Sequence, residues 1–165
     1  MQGGTALIDA CQFYGVTDVN QIAYVLATAW HETAKTMQPI AEFGRGRKRK
    51  YGQRIKLSGK PYTDTVNIFY GRGFVQLTWY ENYYNAGKTF SVDLINSPDL
   101  VMTDILLSAK IAVNGMVKGA FTGKKLSDYF TATKCDFIHA RRIINGMDKA
   151  DLIAGYADQF RAALL

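Results

Sequence analysis

Glutamate is scarce in this sequence, with only Glu32, Glu42 and Glu81 among 165 residues. Cysteine and histidine are scarcer still, at two residues each, and Cys11 and Cys135 form no C-x-x-C pattern. This scarcity argues against a disulfide framework and against a zinc site. We therefore expect two free thiols, as in a protein made in a reducing cytosol, and no metal or cofactor.

Long hydrophobic runs are also missing. The longest mostly apolar stretch, Ile22 to Trp30, is far shorter than the ~20 residues that span a bilayer. The first Lys or Arg is Lys35, so the N-terminal region lacks the basic segment of a signal peptide or a transit peptide. With 48% hydrophobic and 21% charged residues, the composition predicts a single globular domain over residues 1–165.

Positive charge is abundant but unevenly spread. The net charge is +6, and residues 43–63 hold eight of the twenty Lys and Arg without any Asp or Glu. Such a segment favours an anionic partner, which could be nucleic acid, an anionic membrane or a bacterial envelope polymer, although many charged runs are simply solvated loops. The densest part, "RGRKRK", contains Arg45, Arg47, Lys48, Arg49 and Lys50.

Helical periodicity of apolar residues recurs along most of the chain and predicts a mainly α (α+β) fold. Glycines and charges between residues 43 and 70 predict a small, irregular and basic β lobe, which would form a cleft with the helical part. Thr78 and Glu81 resemble a capping box, so a strand over 74–77 should give way to a helix at Thr78. The other predicted helices cover 5–14, 19–32 after an Asp18 N-cap, 104–119, 136–144 and 148–164.

Glu32 and Glu42 lie among uncharged or apolar neighbours in "AWHETAKTMQPIAEFG". Glu32 should end the second helix beside Trp30, where the helix dipole disfavours negative charge and favours the protonated form that a general acid needs. Glu42 should lie in a loop past Pro39. Two carboxylates that face each other across a cleft can hydrolyse a glycosidic bond. The alternatives are a partly exposed helix-end carboxylate for Glu32 and a loop carboxylate that pairs with nearby arginines for Glu42.

Three segments in order resemble the family-19 glycoside hydrolases, which include plant chitinases and many bacteriophage endolysins: "WHETA", "FYGRGFVQLTWYENYYNAG" and "RRIING". Residues 37–40, 120–130 and 145–160 are most similar to the compact phage endolysins. The resemblance implies a lysozyme-like, mainly α fold. It also implies hydrolysis of a β-1,4 bond next to an N-acetylhexosamine, with inversion at the anomeric carbon.

The same resemblance implies roles for the two glutamates and for Thr78. Glu32 matches the glutamate of the His-Glu-Thr motif and should protonate the leaving oxygen. Glu42 is then expected to be the base, across a carboxyl separation of roughly 6.5 to 9.5 Å. Its spacing departs from plant chitinases, whose second glutamate lies further along in a Glu-Arg-Gly context. Thr78 is implied to hold the attacking water.

Four further residues are implied to bind substrate or to support the site. Gln76 and Tyr70 belong to the "YGRGFVQL" segment, and Asn145 belongs to "RRIING". Asn145 with Gly146 is equally a turn signal. His31 is either structural or orients Glu32 through a hydrogen bond, because a single neighbouring histidine does not make a zinc site.

Taken together, these features predict a monomeric phage endolysin that cleaves peptidoglycan as a muramidase-type lysozyme. Without a signal peptide it would accumulate in the host cytoplasm and reach the periplasm after another phage product opens the inner membrane. The basic segment would meet the anionic envelope, and no nucleic-acid partner is expected. The alternatives are a chitinase of the same family and a non-catalytic basic protein that binds glycans or nucleic acids.

Overall fold

The computed structural model describes residues 2–165, and helices dominate them. Two short strands, β1 and β2, pair antiparallel with Ile40 opposite Gly73 and Ala41 opposite Arg72. None of the helices in this range combines the length and the hydropathy that crossing a bilayer requires. The elements are α1 (Gln2–Phe13), α2 (Val19–Glu32), β1 (Ile40–Ala41), β2 (Arg72–Gly73), α3 (Tyr80–Phe90), α4 (Leu100–Thr103), α5 (Ile105–Lys118) and α6 (Ala150–Leu164), with short 3-10 helices at Lys50–Gln53, Leu126–Asp128 and His139–Ile143.

Helices α2 and α5 begin and end where their sequences predict. The Asp18 carboxylate accepts hydrogen bonds from the first backbone N–H groups of α2, and Asp104 does the same at the start of α5 by accepting from Leu107. Gly119 ends α5 with a φ of 76°, a conformation that glycine adopts without a steric penalty. Side-chain caps of this kind satisfy N–H groups that have no partner within the helix.

Buried side chains form two hydrophobic cores. In the larger one, α2 packs on α6 and α1 packs on α5, around fully buried residues such as Tyr24 and Ile153. In the smaller one, Phe69 and Tyr83 pack with residues from α4 and α5. Because α5 contributes to both cores, it joins the helical part of the molecule to the smaller lobe, which is the region around the smaller core and includes Phe69, α3 and α4.

The expected strand over 74–77 and the capping box at Thr78 are wrong. Residues 74–77 form a tight turn instead, in which Leu77 folds back to pair with Arg72 and Gln76 has a φ of 55°. Helix α3 begins only after Trp79, and the Glu81 carboxylate accepts a hydrogen bond from the backbone N–H of Leu57 rather than capping the helix. A tertiary contact has therefore replaced the local cap.

Residues 43–70 are irregular, as predicted, with little β structure. Lys50–Gln53 form a 3-10 helix, and Ile55 and Pro61 form an isolated bridge around the "LSGKP" turn. The β1–β2 ribbon flanks this segment, so it holds the two ends of the basic segment together.

A strained connector leads from α2 to β1. Ala34, Lys35 and Met37 all have positive φ values, which non-glycine residues adopt at an energetic cost. The buried Thr33 hydroxyl holds this path: it donates to the Ala29 carbonyl at 2.7 Å and accepts from the Met37 N–H at 3.0 Å. The connector therefore fixes how the chain runs from Glu32 to the segment that carries Glu42.

We expect Thr33→Val to lower the free energy of unfolding by about 1 to 3 kcal/mol, because a buried N–H loses its acceptor. Denaturant unfolding followed by circular dichroism measures this. Thr89→Val is the matched control, since the Thr89 hydroxyl makes a similar bond to the Asn85 carbonyl on an exposed surface. Equal effects of the two substitutions would contradict a special role for Thr33.

Candidate active site

Glu32 is the last residue of α2 and forms an ion pair with Arg141. The Arg141 Nη1 atom donates to Glu32 Oε1 at 2.8 Å, and the two side chains are only 4% and 17% exposed. The Nε atom of Arg141 donates to the Asp148 carbonyl at 2.9 Å. Because the guanidinium is bonded on two sides, it holds the Glu32 carboxylate in one orientation.

This pairing changes the electrostatics expected from the sequence. The helix dipole disfavours a negative charge at Glu32, but the buried Arg141 compensates for that charge. Trp30 packs on Phe160 with ring centroids 6.3 Å apart and so belongs to the larger core. The second carboxylate oxygen of Glu32 has no hydrogen-bond partner within residues 2–165, which leaves it available to a ligand.

His31 makes no hydrogen bond to Glu32 among the described residues, so that hypothesis is wrong. Burial lowers the pKa of His31, and the nearby Glu32 carboxylate opposes that shift. The histidine is therefore held mainly in its neutral form near pH 7.

The lowered pKa of His31 predicts a pH-dependent stability. A histidine whose pKa is lower in the folded state binds more protons when unfolded, so stability is lost as the pH falls through the ordinary value of 6.5. We expect His31→Gln to lose less stability than the wild type between about pH 7.5 and about pH 5.5. Thermal unfolding at both pH values measures this, with His139→Gln as the control. Equal losses in wild type and His31→Gln would contradict it.

Glu42 follows β1 and is held by the backbone and by a tyrosine. Its N–H donates to the Gly71 carbonyl at 2.7 Å, and its Oε2 accepts from the Tyr51 hydroxyl at 2.8 Å. Its Oε1 is buried and has no partner in the described part of the chain. The alternative in which Glu42 pairs with the nearby arginines is wrong, since no such ion pair occurs among residues 2–165.

Tyr51 is itself fixed in place. Its ring packs edge-on against Trp79, with centroids 5.6 Å apart. Burial, together with the hydrogen bond to Glu42, raises the pKa of Tyr51 to about 12. The phenol therefore stays neutral and donates to Glu42 across the physiological pH range, so Oε1 is the oxygen left to accept a further proton.

Gln76 lies beside Glu42 and ties the ribbon together. Its Nε2 donates to the Ile40 carbonyl at 2.9 Å and to the Gly73 carbonyl at 3.0 Å. A Cβ atom placed on Gly71 would lie 2.9 Å from the Gln76 Oε1 and 3.3 Å from the Glu42 Cβ. A larger residue at position 71 would therefore press on both side chains. Because Nε2 is already hydrogen-bonded, Oε1 is the Gln76 atom that remains for the predicted sugar contact.

Tyr70 and Thr78 have different surroundings. The Arg72 guanidinium lies 3.7 Å from the centroid of the Tyr70 ring, and the Tyr70 carbonyl accepts from the Tyr83 hydroxyl, so Tyr70 supports buried Arg72. The Thr78 side chain is half-buried and does not cap α3. Its hydroxyl makes no hydrogen bond within the described residues, so it is free to bind a water or a sugar hydroxyl.

Asn145 lies close to the Glu32 site. Its N–H donates to the Arg141 carbonyl at 3.0 Å, and its Oδ1 accepts from Gly146 at 2.9 Å. The chain bends at Asn145 and Gly146 directly after the 3-10 helix. The exposed Nδ2 remains for the predicted substrate contact.

Four of the predicted site residues thus fall into two groups joined by the strained connector. One contains Glu32 and Asn145, which are both hydrogen-bonded to Arg141, and the other contains Glu42 and Gln76. Sequence reasoning missed Arg141 and Tyr51, although Arg141 lies in the "RRIING" segment and Tyr51 directly follows the basic run.

Residues 13–120 match the model of glycoside hydrolase family 19, described as chitinase class I. The chain belongs to this family. The matched range includes both candidate carboxylates as well as Gln76 and Thr78, whereas Arg141 and Asn145 lie beyond it. The family resemblance expected from the sequence is confirmed.

Family 19 relatives match this chain over part of their length. Acidic endochitinase Q of Nicotiana tabacum is 36% identical over 95 residues, which cover 52% of this chain and 37% of the tobacco protein. A relative from Hevea brasiliensis, described as an inactive chitinase-like protein, is 49% identical over 45 residues, or 27% of this chain and 14% of the relative. This chain therefore spans well under half of these relatives.

Solved structures of the family show the same fold. A bacterial family 19 chitinase superposes with a TM-score of 0.75 at 26% identity, covering 99% of this chain and 85% of the other. Chitinase C of Streptomyces griseus HUT6037 gives a TM-score of 0.73 at 24% identity, covering 99% and 68%. The predicted mainly α, lysozyme-like fold is confirmed.

Proposed function

We propose that this family 19 chain is a phage endolysin that hydrolyses β-1,4 bonds of bacterial peptidoglycan as a muramidase-type lysozyme. Family membership and the two fixed carboxylates support hydrolysis, and the basic loop beside Glu42 supports peptidoglycan as the polymer. No metal or cofactor is needed for this chemistry.

In the proposed mechanism Glu32 is the general acid. Glu32 must carry a proton on Oε2 when the substrate is bound. Arg141 holds its Oε1, so the proton passes from Oε2 to the leaving glycosidic oxygen. The fixed guanidinium then stabilises the carboxylate that this transfer leaves behind. Proton transfer from a positioned side chain of this kind typically accelerates a reaction by about 10² to 10⁴.

Glu42 is the proposed base. Tyr51 holds Oε2, so the buried Oε1 accepts a proton from the water that attacks the anomeric carbon. A buried oxygen without a hydrogen bond is costly. Oε1 is shielded from solvent, so the attacking water reaches it only when the neighbouring side chains move. The Thr78 hydroxyl is proposed to hold the same water. Because this water approaches from the face opposite the acid, the product has inverted stereochemistry.

The observation that favours peptidoglycan is the unpaired basic loop. Arg45, Arg47, Lys48, Arg49 and Lys50 are all exposed, and none forms an ion pair with a carboxylate in the described chain. The loop begins directly after Glu42, with the Phe43 side chain fully exposed between them. Peptidoglycan carries stem-peptide carboxylates, whereas chitin is uncharged, so a cationic rim attracts only the former.

The proposed cellular route follows from this substrate. We propose that the protein accumulates in the host cytoplasm and acts as a monomer on the wall after another phage product opens the inner membrane. The second candidate is a chitinase, which the names of its family 19 relatives favour.

Product analysis tests the proposal directly. Purified protein is added to permeabilised Gram-negative cells and, separately, to chitin, and turbidity and released sugars are followed by mass spectrometry. Muropeptides that end in reducing N-acetylmuramic acid support a muramidase, while reducing N-acetylglucosamine indicates a glucosaminidase. Chitin turnover without wall lysis establishes the chitinase. If neither polymer is cleaved, salt-dependent DNA or glycan binding would favour the non-catalytic alternative.

The basic loop gives a further prediction. We expect Lys48→Gln/Lys50→Gln to slow wall lysis roughly threefold or more at low ionic strength, and the difference should shrink as salt screens the charges. The control Lys118→Gln/Lys124→Gln removes the same charge from an exposed surface elsewhere. Equal slowing by both pairs would show that net charge alone matters.

A further inference from the structure

A groove on the smaller lobe lies apart from both carboxylates. It has a volume of about 420 Å³ and runs between one face of α3, the turn that follows it and Asp64. Neither glutamate of the candidate site lines it, and neither do Gly71, Gln76 or Thr78. It is therefore a separate concave surface, and its volume falls within the range typical of ligand sites.

Two tyrosine rings form the aromatic part of this groove. Tyr80 and Tyr84 are one helical turn apart on α3, with parallel rings whose centroids are 6.4 Å apart. The Tyr80 hydroxyl donates to Asp64 at 2.7 Å, and its ring packs on Tyr62 and Phe69 in the smaller core, so it is rigid. Tyr84 is 48% exposed and presents its ring to solvent.

Hydrogen-bonding groups surround the rings. The Tyr84 and Ser91 hydroxyls, the Asn96 Oδ1 and the second oxygen of Asp64 have no hydrogen-bond partner within residues 2–165. The Lys88 ammonium lies 5.6 Å from the centroid of the Tyr84 ring and forms no ion pair in this range. The groove thus combines an aromatic surface with hydrogen-bond donors and acceptors, and these include one carboxylate and one ammonium group.

We propose that this groove is a secondary binding site for a glycan strand, outside the catalytic centre. A pyranose ring has an apolar face of C–H groups that packs on an aromatic ring, and its hydroxyls bond to carboxylates, amides and hydroxyls. The mixture of carboxylate and ammonium groups suits a neutral polar ligand better than a strongly charged one. N-acetylhexosamine oligomers have this chemistry.

Helix α3 connects this groove to the candidate active site. The Trp79 ring, just before the helix, contacts Tyr51, which holds Glu42. Tyr80 and Tyr84 of the same helix line the groove. A strand bound in the groove would keep the enzyme on its polymer between cleavage events. The nature of the glycan rests on the proposed function, whereas the existence of a sugar site does not.

Binding is tested by NMR titration of ¹⁵N-labelled full-length Glu32→Gln with the N-acetylglucosamine tetramer. We expect backbone amides around Gly87, Ser91 and Asn96 to shift. Adding Tyr84→Ala should raise the dissociation constant fitted from the shifts of these amides by roughly three- to tenfold. The shifts of amides around Gly71 should stay unchanged. Tyr84→Phe should keep most of the affinity, because the ring remains. Phe13→Ala, at another exposed aromatic residue, should have no effect.

The same variants, with Glu32 restored, are then compared on insoluble polymer and on short soluble fragments of the polymer that the wild type cleaves. Tyr84→Ala should lower the amount of enzyme retained on sacculi or chitin and leave hydrolysis of the soluble fragments unchanged. Absence of shifts around Ser91 and Asn96, or polymer retention equal to wild type, would overturn the site. If groove amides shift but no glycan is ever cleaved, the proposed function fails and the secondary site stands.

Discussion

Replacing Glu32 by Gln should lower the rate of wall hydrolysis about a thousandfold while the protein stays folded. The amide oxygen can still accept the hydrogen bond from Arg141, so the position of the side chain is kept. The amide has no proton of suitable acidity to give to the leaving oxygen, so protonation of the glycosidic bond stops. Initial rates of turbidity loss, with muropeptide analysis to detect residual cleavage, measure the effect.

Glu81→Gln is the matched control, because it makes the same change at the third glutamate of the chain. Glu81 accepts a backbone hydrogen bond from Leu57, and a glutamine can keep that bond. Its activity should stay within about twofold of the wild type, as for a surface substitution away from a site. A Glu32→Gln enzyme that keeps a tenth or more of its activity would rule out Glu32 as the acid.

Local patterns predicted the ends of α2 and α5 well because their signals lie within a few residues, whereas the helix predicted over 136–144 is a shorter 3-10 helix at His139–Ile143. Asp18, Asp104 and Gly119 act on the ends of their own helices, and those boundaries are confirmed. The prediction at Thr78 failed for the opposite reason. Glu81 bonds to Leu57, 24 residues away, and this contact overrides a local pattern that is otherwise typical of a helix start.

The candidate site shows the same division. The sequence indicated both carboxylates because glutamate is rare and the motifs are specific. It could not indicate their partners, since Arg141 lies 109 residues from Glu32 and the two meet because α6 packs both on α2 and on the 3-10 helix that carries Arg141. Tyr51 lies only nine residues from Glu42 in sequence. The hydrogen bond between them nevertheless depends on the irregular loop that connects them, and such a loop has no periodic pattern that predicts its conformation.

The Glu32–Arg141 pair leads to a prediction for stability as well as activity. Arg141→Met should lower the free energy of unfolding by about 2 to 4 kcal/mol, because a largely buried carboxylate and the Asp148 carbonyl lose their shared donor. Wall hydrolysis should also fall, by about tenfold or more, since Glu32 is no longer held in one orientation. Denaturant unfolding and initial lysis rates measure the two effects separately.

Arg142→Met provides the matched control, since Arg142 is the exposed neighbour in sequence, and it should change stability by no more than about 0.5 kcal/mol. The double variant Glu32→Gln/Arg141→Met tests the pairing itself. Because glutamine leaves no buried charge when the arginine is absent, its loss of stability should be smaller than the sum of the single losses, by about 1 to 3 kcal/mol. Additive losses would mean that Arg141 stabilises the fold through Asp148 alone, and that the orientation of Glu32 has another source.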